Sequence, residues 1–447
     1  MNSQKLLDAA QALVSAARRL GADSADAIGR ASAANGVGVR LGALEELDSS
    51  ESIEVGLRAF VGTRSASVSS ADLSPAGIGE LAERAVTMAR LAPADPYAGL
   101  APEEQLARGP FPDLQIADST HLSPEALRER ARAVEEAARG VAGVSNSEGG
   151  SATLARATSA LVTSNGFAAV YEGTSHSLAA SVIAGEGDQM QRDYASRSAR
   201  HLEDLPGPEE VGRLAGERAV ARLSPGTVRS GPMPVVFDAR VASSLIGHLL
   251  GAMGAPAIAR KASFLAGREN EALFPPQVRI VENPLKLRGP HSRPFDGEGV
   301  ACSPRALIAD GRLTGWLTNV ASAAQLGLPL TGHAARGGSG APGVGASNID
   351  MGAGVLSVEE LIADIEEGVL VDYLIGQGVN PVTGDYSRGA AGRRIVRGKI
   401  EGPVAGFTIA GNLLAMFAAM RPANDLETWR AINTPTVRVD GMTIASG

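Results

Sequence analysis

The chain carries a single cysteine, Cys302, in 447 residues. An internal disulfide framework and a cysteine-rich metal cluster are therefore excluded. Aromatic residues are scarce: 9 Phe, 5 Tyr and 2 Trp leave little surface on which bases could stack. With 41 Lys+Arg against 49 Asp+Glu, the net charge of −8 also argues against nucleic acid as a partner. No run of about 18 apolar residues occurs, so no membrane-spanning helix is expected. The first residues, MNSQKLLDAAQALVSAARRL, break their apolar positions with Gln4, Lys5, Asp8 and Gln11. They read as an amphipathic helix rather than a signal peptide, and a cytoplasmic protein is expected. The 6 histidines, His121, His176, His201, His248, His291 and His333, are also widely spaced. None lies three to five residues from another, so no helical HExxH-type pair forms.

Glycine is abundant, with 54 residues against a usual share of about 7%. The glycines are scattered between alternating apolar stretches, a pattern that suits many short strands and tight turns. Residues 4–20 form one apolar helical face (Leu6, Leu7, Ala10, Leu13, Val14, Ala17, Leu20), closed by Gly21. Strands are expected at Ala25–Ser32, Gly36–Leu41 and Ile53–Val61, and a second helix after Ser74-Pro75. Residues 93–118, with Pro93, Pro96, Pro102, Pro110 and Pro112, read as a linker. A helix from Ser123-Pro124 to about Arg139 follows, then strands within 153–185 and a helix over Glu209–Leu223. Both halves read as helix, strands, helix; a duplicated unit explains this order, and so does chance in an α+β chain. From Gly231 the pattern changes to a strand (Pro234–Phe237) and an apolar helix (Val241–Met253). Glycine-rich strands, a helix over Val358–Glu367, a buried strand at Thr408–Leu413 ending in a glycine turn and a last strand at Thr436–Val439 complete it. The fold class expected is α+β. Its parts are an N-terminal α+β domain (1–92), the linker (93–118), a middle α+β domain (119–225) and a larger, mainly β C-terminal domain (226–447).

Familiar catalytic motifs are absent. Gly338-Ser339-Gly340-Ala341-Pro342-Gly343 fits GxGxxG formally, but Pro342 removes a donor and no helix pattern follows, so it reads as a loop. Neither GxxxxGK[ST] nor GxSxG occurs. A metal site could be assembled only from dispersed residues such as His291, Asp296, Glu298, Cys302 and His333. Asp296 and Glu298 flank Gly297 at alternate positions, so in an extended segment they share one side and could bind a peptide amine. A charged turn opening a hairpin is the plainer reading. Thr383-Gly384-Asp385-Tyr386-Ser387 gathers donors and acceptors in one turn, or forms an Asx-type turn between strands.

Taken in order, several segments resemble the TldD/PmbA family, in its PmbA (TldE) branch. They are Val39–Gly42, Gly56-Leu57-Arg58-Ala59-Phe60-Val61-Gly62, Ser69–Leu73, Ser263-Phe264-Leu265, Phe295–Gly299, Gly378-Val379-Asn380, Thr383–Ser387 and Thr408–Asn412. The resemblance spans essentially the whole chain. It implies a metallopeptidase of two related subunits acting on small or unfolded peptides. In that family the TldD-like subunit carries HExxxH, whose histidines hold zinc while its glutamate serves as base. The stretch of this chain where that motif would lie reads Ser244-Leu245-Ile246-Gly247-His248-Leu249-Leu250-Gly251-Ala252-Met253. A lone His248 cannot hold a catalytic zinc, and Leu249 cannot act as a base.

The resemblance thus implies a subunit with no metal or catalytic residue of its own, zinc being supplied by a TldD-like HExxxH partner. Asp296, Glu298, Thr383, Asp385 and Tyr386 are the candidates for contact with a peptide substrate. The alternative is a homodimer that binds peptides or a protein without hydrolysing them. An independent hydrolase has the least support, because no triad or carboxylate pair stands out.

Overall fold

In the computed structural model, which describes residues 3–446, the N-terminal half is built around one antiparallel sheet. Its strands are β1 (Ser24–Arg40), β2 (Ala43–Val61), β3 (Arg64–Ser70), β4 (Val144–Thr163), β5 (Ala168–Ala184) and β6 (Gln191–Ala199), in the order β3-β2-β1-β4-β5-β6. Helices α1 (Ser3–Arg19) and α2 (Pro75–Leu91) flank the first meander; α3 (Pro124–Arg139) and α4 (Pro208–Val220) flank the second. The helix–strands–helix order is therefore duplicated, and the two units join through their first strands, from Asp26↔Thr163 to Val39↔Gly150. Helices α2 and α3 start where their sequences say. Ser74 accepts a hydrogen bond from Gly77 N (3.1 Å) and Ser123 from Ala126 N (3.2 Å), each followed by proline in the first turn.

Strand alternation assigns the helices to one face. Ala25 and Ala27 of β1 pack with Leu6, Leu13, Leu81 and Val86 of α1 and α2. Val37 and Val39, on the same face further along, pack with Leu127, Val134 and Val211 of α3 and α4. The intervening residues Asp26, Ile28, Arg30 and Ser32 look the other way.

The C-terminal domain closes that second face at one end. Strand β7 (Gly231–Phe237) pairs in parallel with Glu367–Ile375 and antiparallel with Val437–Ser446. Strands Asp385–Val396 and Lys399–Asn412 follow, and the latter pairs back with Val437–Ser446, so five strands close into a barrel. Helix α5 (Ala239–Ala252) adds Leu245, Ile246 and Leu249 to a core with Val235, Phe237, Val369, Phe407 and Ile409. A second sheet of short strands surrounds Ile280–Glu282.

Several boundaries differ from the sequence reading for physical reasons. β1 is one strand, and β2 starts at Ala43, well before Ile53. Residues Ala43–Ser52 are exposed on both faces, so no apolar alternation marks them. The helix from Val358 ends at Ile362, because Glu367 already opens a strand that sends Val369 and Val371 into the barrel core. Asn412 ends its strand by capping the helix Leu413–Ala418, accepting from Leu414 N at 3.1 Å, where a glycine turn was expected. The last strand continues to Ser446; Gly441 at φ +80° interrupts its alternation. The proline-rich residues 93–118 are not free coil: Ala101, Leu106, Leu114 and Ile116 are buried.

Candidate functional site: the cleft between the sheet and the C-terminal domain

Where the C-terminal domain meets the sheet, Asp26 of β1 faces its cross-strand partner Arg58 of β2. The Arg58 Nε donates to Asp26 Oδ2 at 3.0 Å, and its Nη2 lies 3.3 Å from Glu298 Oε1. Arg336, from the same domain as Glu298, pairs with the other oxygen of Asp26. All four side chains are buried. Burial alone would raise Asp26, but Arg336 and Arg58 hold its carboxyl below the ordinary range. Glu298 is pushed up to about 7 by burial; Arg58 and the Val320 N–H oppose the shift, while Asp296 and Asp26 add to it.

Close backbone approach completes this contact. A Cβ on Gly56 would lie 1.8 Å from Gly338 O, and one on Gly338 would lie 2.1 Å from the Glu54 carboxyl carbon. At Gly56, where the neighbour is backbone, only glycine lets the loop that resembled GxGxxG lie on the sheet, whereas at Gly338 the neighbour is the movable end of the Glu54 side chain. Beside it, four of the chain's few aromatic rings gather. Phe295 lies 4.9 Å from Phe167 and 5.4 Å from both Phe111 and Tyr171, ring centre to ring centre.

Next to this contact a cavity of about 390 Å³ opens, lined by Arg30, Tyr171, Arg293, Phe295, Asp296 and Arg336 among others. Arg30, Ser159 and Tyr171 also line a neighbouring space of about 440 Å³. These two spaces join as a trough on the open face of the sheet, floored by Ser32, Ser52, Ala157 and Gly173 and edged by Arg30 and Arg200. A third space, of about 490 Å³, lies behind the same strands on the helix face, lined by Ala31, Ala33, Ile53, Arg156, Thr158 and Thr174 among others.

The structure places the sequence candidates as follows. Asp296 organises a turn: Oδ1 accepts from Glu298 N and Val300 N, and Oδ2 from Ala334 N, all at 2.9 Å. It borders the cavity, but its oxygens face backbone donors, and burial raises its pKa despite them. Glu298 accepts from Val320 N at 2.7 Å and from Arg58, so it is a fastener between domains. Thr383 donates to Asp385 at 2.6 Å, Asn412 donates to Asp385 at 3.2 Å, and Asn380 accepts from Val382 N at 2.9 Å. The bonds from Thr383 and Asn412 lower the Asp385 pKa, and the Asn380 bond makes an Asx-type turn. Tyr386 is buried in the barrel core, whereas Phe295 belongs to the aromatic cluster, so the two candidate groups do not form one site.

The dispersed metal candidates are engaged separately. His333 Nε2 lies 2.5 Å from Glu282, and the Cys302 thiol faces Gly332 O at 3.3 Å. Among the described residues no three His, Cys, Asp or Glu side chains gather as a metal-ligand group. On α5, His248 packs edge-on against Tyr386 with ring centres 6.2 Å apart. It stands with no second ligand, so these residues do not fit a catalytic zinc.

Sequence reasoning did not single out Arg58, Arg336, Arg30 or Tyr171. Gly56 and Arg58 alternate within a segment that carried the family resemblance, which was the available signal. Their cross-domain partners are more than two hundred residues away, beyond the reach of any local pattern.

The chain matches three family models in succession: PmbA/TldA metallopeptidase domain 1 over residues 25–89, the central domain over 117–223 and the C-terminal domain over 230–446. It is 38% identical to "Metalloprotease PmbA" of Escherichia coli O157:H7 over 411 residues, covering 92% of this chain and 89% of that one. It is 32% identical over 444 residues to a "Metalloprotease PmbA homolog" of Haemophilus influenzae, covering 99% and 96%. Among solved structures, a protein described as a candidate modulator of DNA gyrase from Bacteroides thetaiotaomicron superposes with a TM-score of 0.90 at 25% identity, covering 98% of both chains. TldE from Thermococcus kodakarensis superposes at 0.84 with 20% identity, covering 98% of this chain and 100% of that one, and shares the fold. The chain belongs to the PmbA/TldD metallopeptidase family.

Proposed function

We propose that this protein is the subunit of a two-subunit, TldD/TldE-type cytoplasmic peptidase that holds peptide but not metal. Zinc and the general base come from a TldD-like partner carrying HExxxH. The observation that carries this reading is α5. In a chain of a metallopeptidase family it offers one imidazole, followed by Leu249 where a base would be needed, with its other polar faces occupied by Ser244, Gly247 and Gly251. No step of hydrolysis is therefore assigned to this chain.

The trough gives the chain its part. A small or unfolded peptide laid across Ser32, Ser52 and Ala157 meets side chains too small to discriminate among sequences. Arg30 and Arg200 along the edge bring positive charge to acidic side chains of such a peptide. Asp296 and Glu298 shape the end of this space and do not touch the peptide in this account. The Thr383–Asp385 turn is kept as a contact to the partner or peptide at the barrel end.

The test is hydrolysis of an unstructured peptide by this chain alone, by the HExxxH-bearing paralogue alone, and by their mixture. The expected result is a large gain in the mixture, none of it from this chain alone. Chelator-sensitive hydrolysis by the isolated chain would overturn the proposal. Binding without any gain in the mixture would favour the homodimeric binding module instead.

A further inference from the structure

Three arginines of the trough stand without a counter-charge. Arg30 lines both of its spaces, Arg293 the first and Arg200 the second. Their hydrogen bonds run to backbone carbonyls. Arg30 donates to Arg336 O, and Arg293 to Gly345 O at 2.8 Å. Arg200 donates to Thr174 O at 3.0 Å, to Gly289 O at 3.3 Å and to Pro290 O. A carbonyl satisfies one of the five N–H groups of a guanidinium but does not cancel its charge. Arg58 and Arg336, at the closed end, differ in that both hold Asp26. Among the described residues no carboxylate comes within ion-pair distance of Arg30, Arg200 or Arg293.

Two carboxylates border the trough, and neither takes that role. The oxygens of Asp296 are spent on the N–H groups of Glu298, Val300 and Ala334. Glu54 is the cross-strand partner of Arg30, but its carboxyl lies against Gly338. Even with Glu54 counted, three guanidiniums leave the recess positive in a chain whose net charge is −8. The recess therefore attracts anions against the field of the rest of the molecule.

The arrangement also says which anion. The floor of Ser32, Ser52, Ala157 and Gly173 is too small-featured to select by shape, so selection falls to charge. The arginines extend over two adjoining spaces, which calls for more than one carboxylate, and a peptide's terminal carboxylate supplies only one. An extended peptide supplies several on one side, because residues i and i+2 point the same way about 7 Å apart. Tyr171 and Phe295 line the first space and give the methylene stem of a glutamate an apolar wall.

We infer that the trough selects acidic segments, holding an extended peptide by two or more Asp or Glu side chains at alternate positions that pair with Arg30, Arg293 and Arg200. This rests on the reading of the chain as a peptide-holding subunit and narrows its substrate class.

The purified chain is titrated by calorimetry with end-capped peptides of one Gly/Ser background that carry Glu, Gln or Lys at three alternate positions. The Gln peptide is also tested with a free C-terminal carboxylate. The Glu peptide is expected to bind at least ~10-fold more tightly than the capped Gln peptide, and the Lys peptide more weakly than both. The preference should shrink as salt rises from about 0.05 to 0.5 M. Arg30 is exposed, so Arg30→Gln tests the site without disturbing the core, and it should cut the preference at least ~3-fold. Arg293→Gln should do the same. Arg213→Gln, which removes an exposed cation of α4, should leave the preference unchanged. Equal binding of the Glu and Gln peptides would overturn the inference and leave the peptide-holding reading standing. A free-acid Gln peptide that binds as well as the Glu peptide would overturn the choice of side chains over a chain end. A preference untouched by Arg30→Gln and Arg293→Gln, or cut equally by Arg213→Gln, would overturn the assignment to these arginines. If no peptide binds, the inference and the peptide-holding reading both fail.

Discussion

The two faces of the six-stranded sheet are held by different physics. On the helix face, Ala25, Ala27, Val55 and Leu57 meet α1 and α2 in an apolar layer rich in alanine, which needs shape but no partners. On the other face, residues one step along the same strands, Asp26, Gly56 and Arg58, meet the C-terminal domain through charge and backbone contact. A buried charge must be neutralised by a partner of fixed position, so this face specifies how the domains dock in a way an apolar layer does not. Where the C-terminal domain does not reach, the same face is left as the trough.

The comparison predicts unlike responses to loss of a side chain. Arg58→Met leaves Asp26 and Glu298 buried with fewer partners and is expected to cost about 3–5 kcal/mol in denaturant unfolding. Leu57→Ala, on the helix face, is expected to cost a similar ~2–5 kcal/mol by leaving a cavity. The two are separated by pH. The Arg58→Met deficit shrinks on acidification from about pH 8 to 5, as Glu298 takes a proton, whereas the Leu57→Ala deficit does not change. Parallel pH profiles for both variants would erase the distinction.

Glu298 sharpens the same point in the native background. Its carboxyl rises from 4.5 in the unfolded chain to about 7 in the fold, so between those values the folded protein holds a proton that the unfolded chain releases. Stability therefore falls as pH rises through that window, by up to ~3 kcal/mol. Glu298→Gln, measured by unfolding across the same range, is expected to remove that slope. Gly56→Ala should cost about 1–3 kcal/mol, because the new methyl meets Gly338 O and must push the loop away. The smallest effect is expected where neither face is buried. Arg40 and Glu45, 3.5 Å apart and about half exposed, should change stability by less than ~1 kcal/mol when either is replaced by alanine.

The helix face was legible in the sequence, because alternation and the i, i+3, i+4 spacing of Leu6, Ala10, Leu13 and Ala17 encode it directly. So were the helix starts at Ser74-Pro75 and Ser123-Pro124 and the repeated helix, strands, helix order. The far half of β2 was not, since Ala43–Ser52 face water on both sides. The docking face was hidden for a different reason. Asp26, Arg58, Glu298 and Arg336 acquire meaning only when the domains meet, and each alone looks like a surface charge. Asp296 and Glu298 stood out in the sequence as acids at alternate positions, and the structure turns both toward protein donors.

The central claim is that the uncovered part of the docking face is where this chain holds a peptide for a metal-bearing partner. It is tested most directly by filling the trough and leaving its supports alone. Ala157→Trp places a large side chain on the exposed floor, away from the helix face and the charged contact. In a mixture with the HExxxH-bearing paralogue, peptide hydrolysis is expected to fall at least ~10-fold, through a raised KM, with unfolding and subunit association unchanged. Undiminished hydrolysis by that mixture would contradict the account.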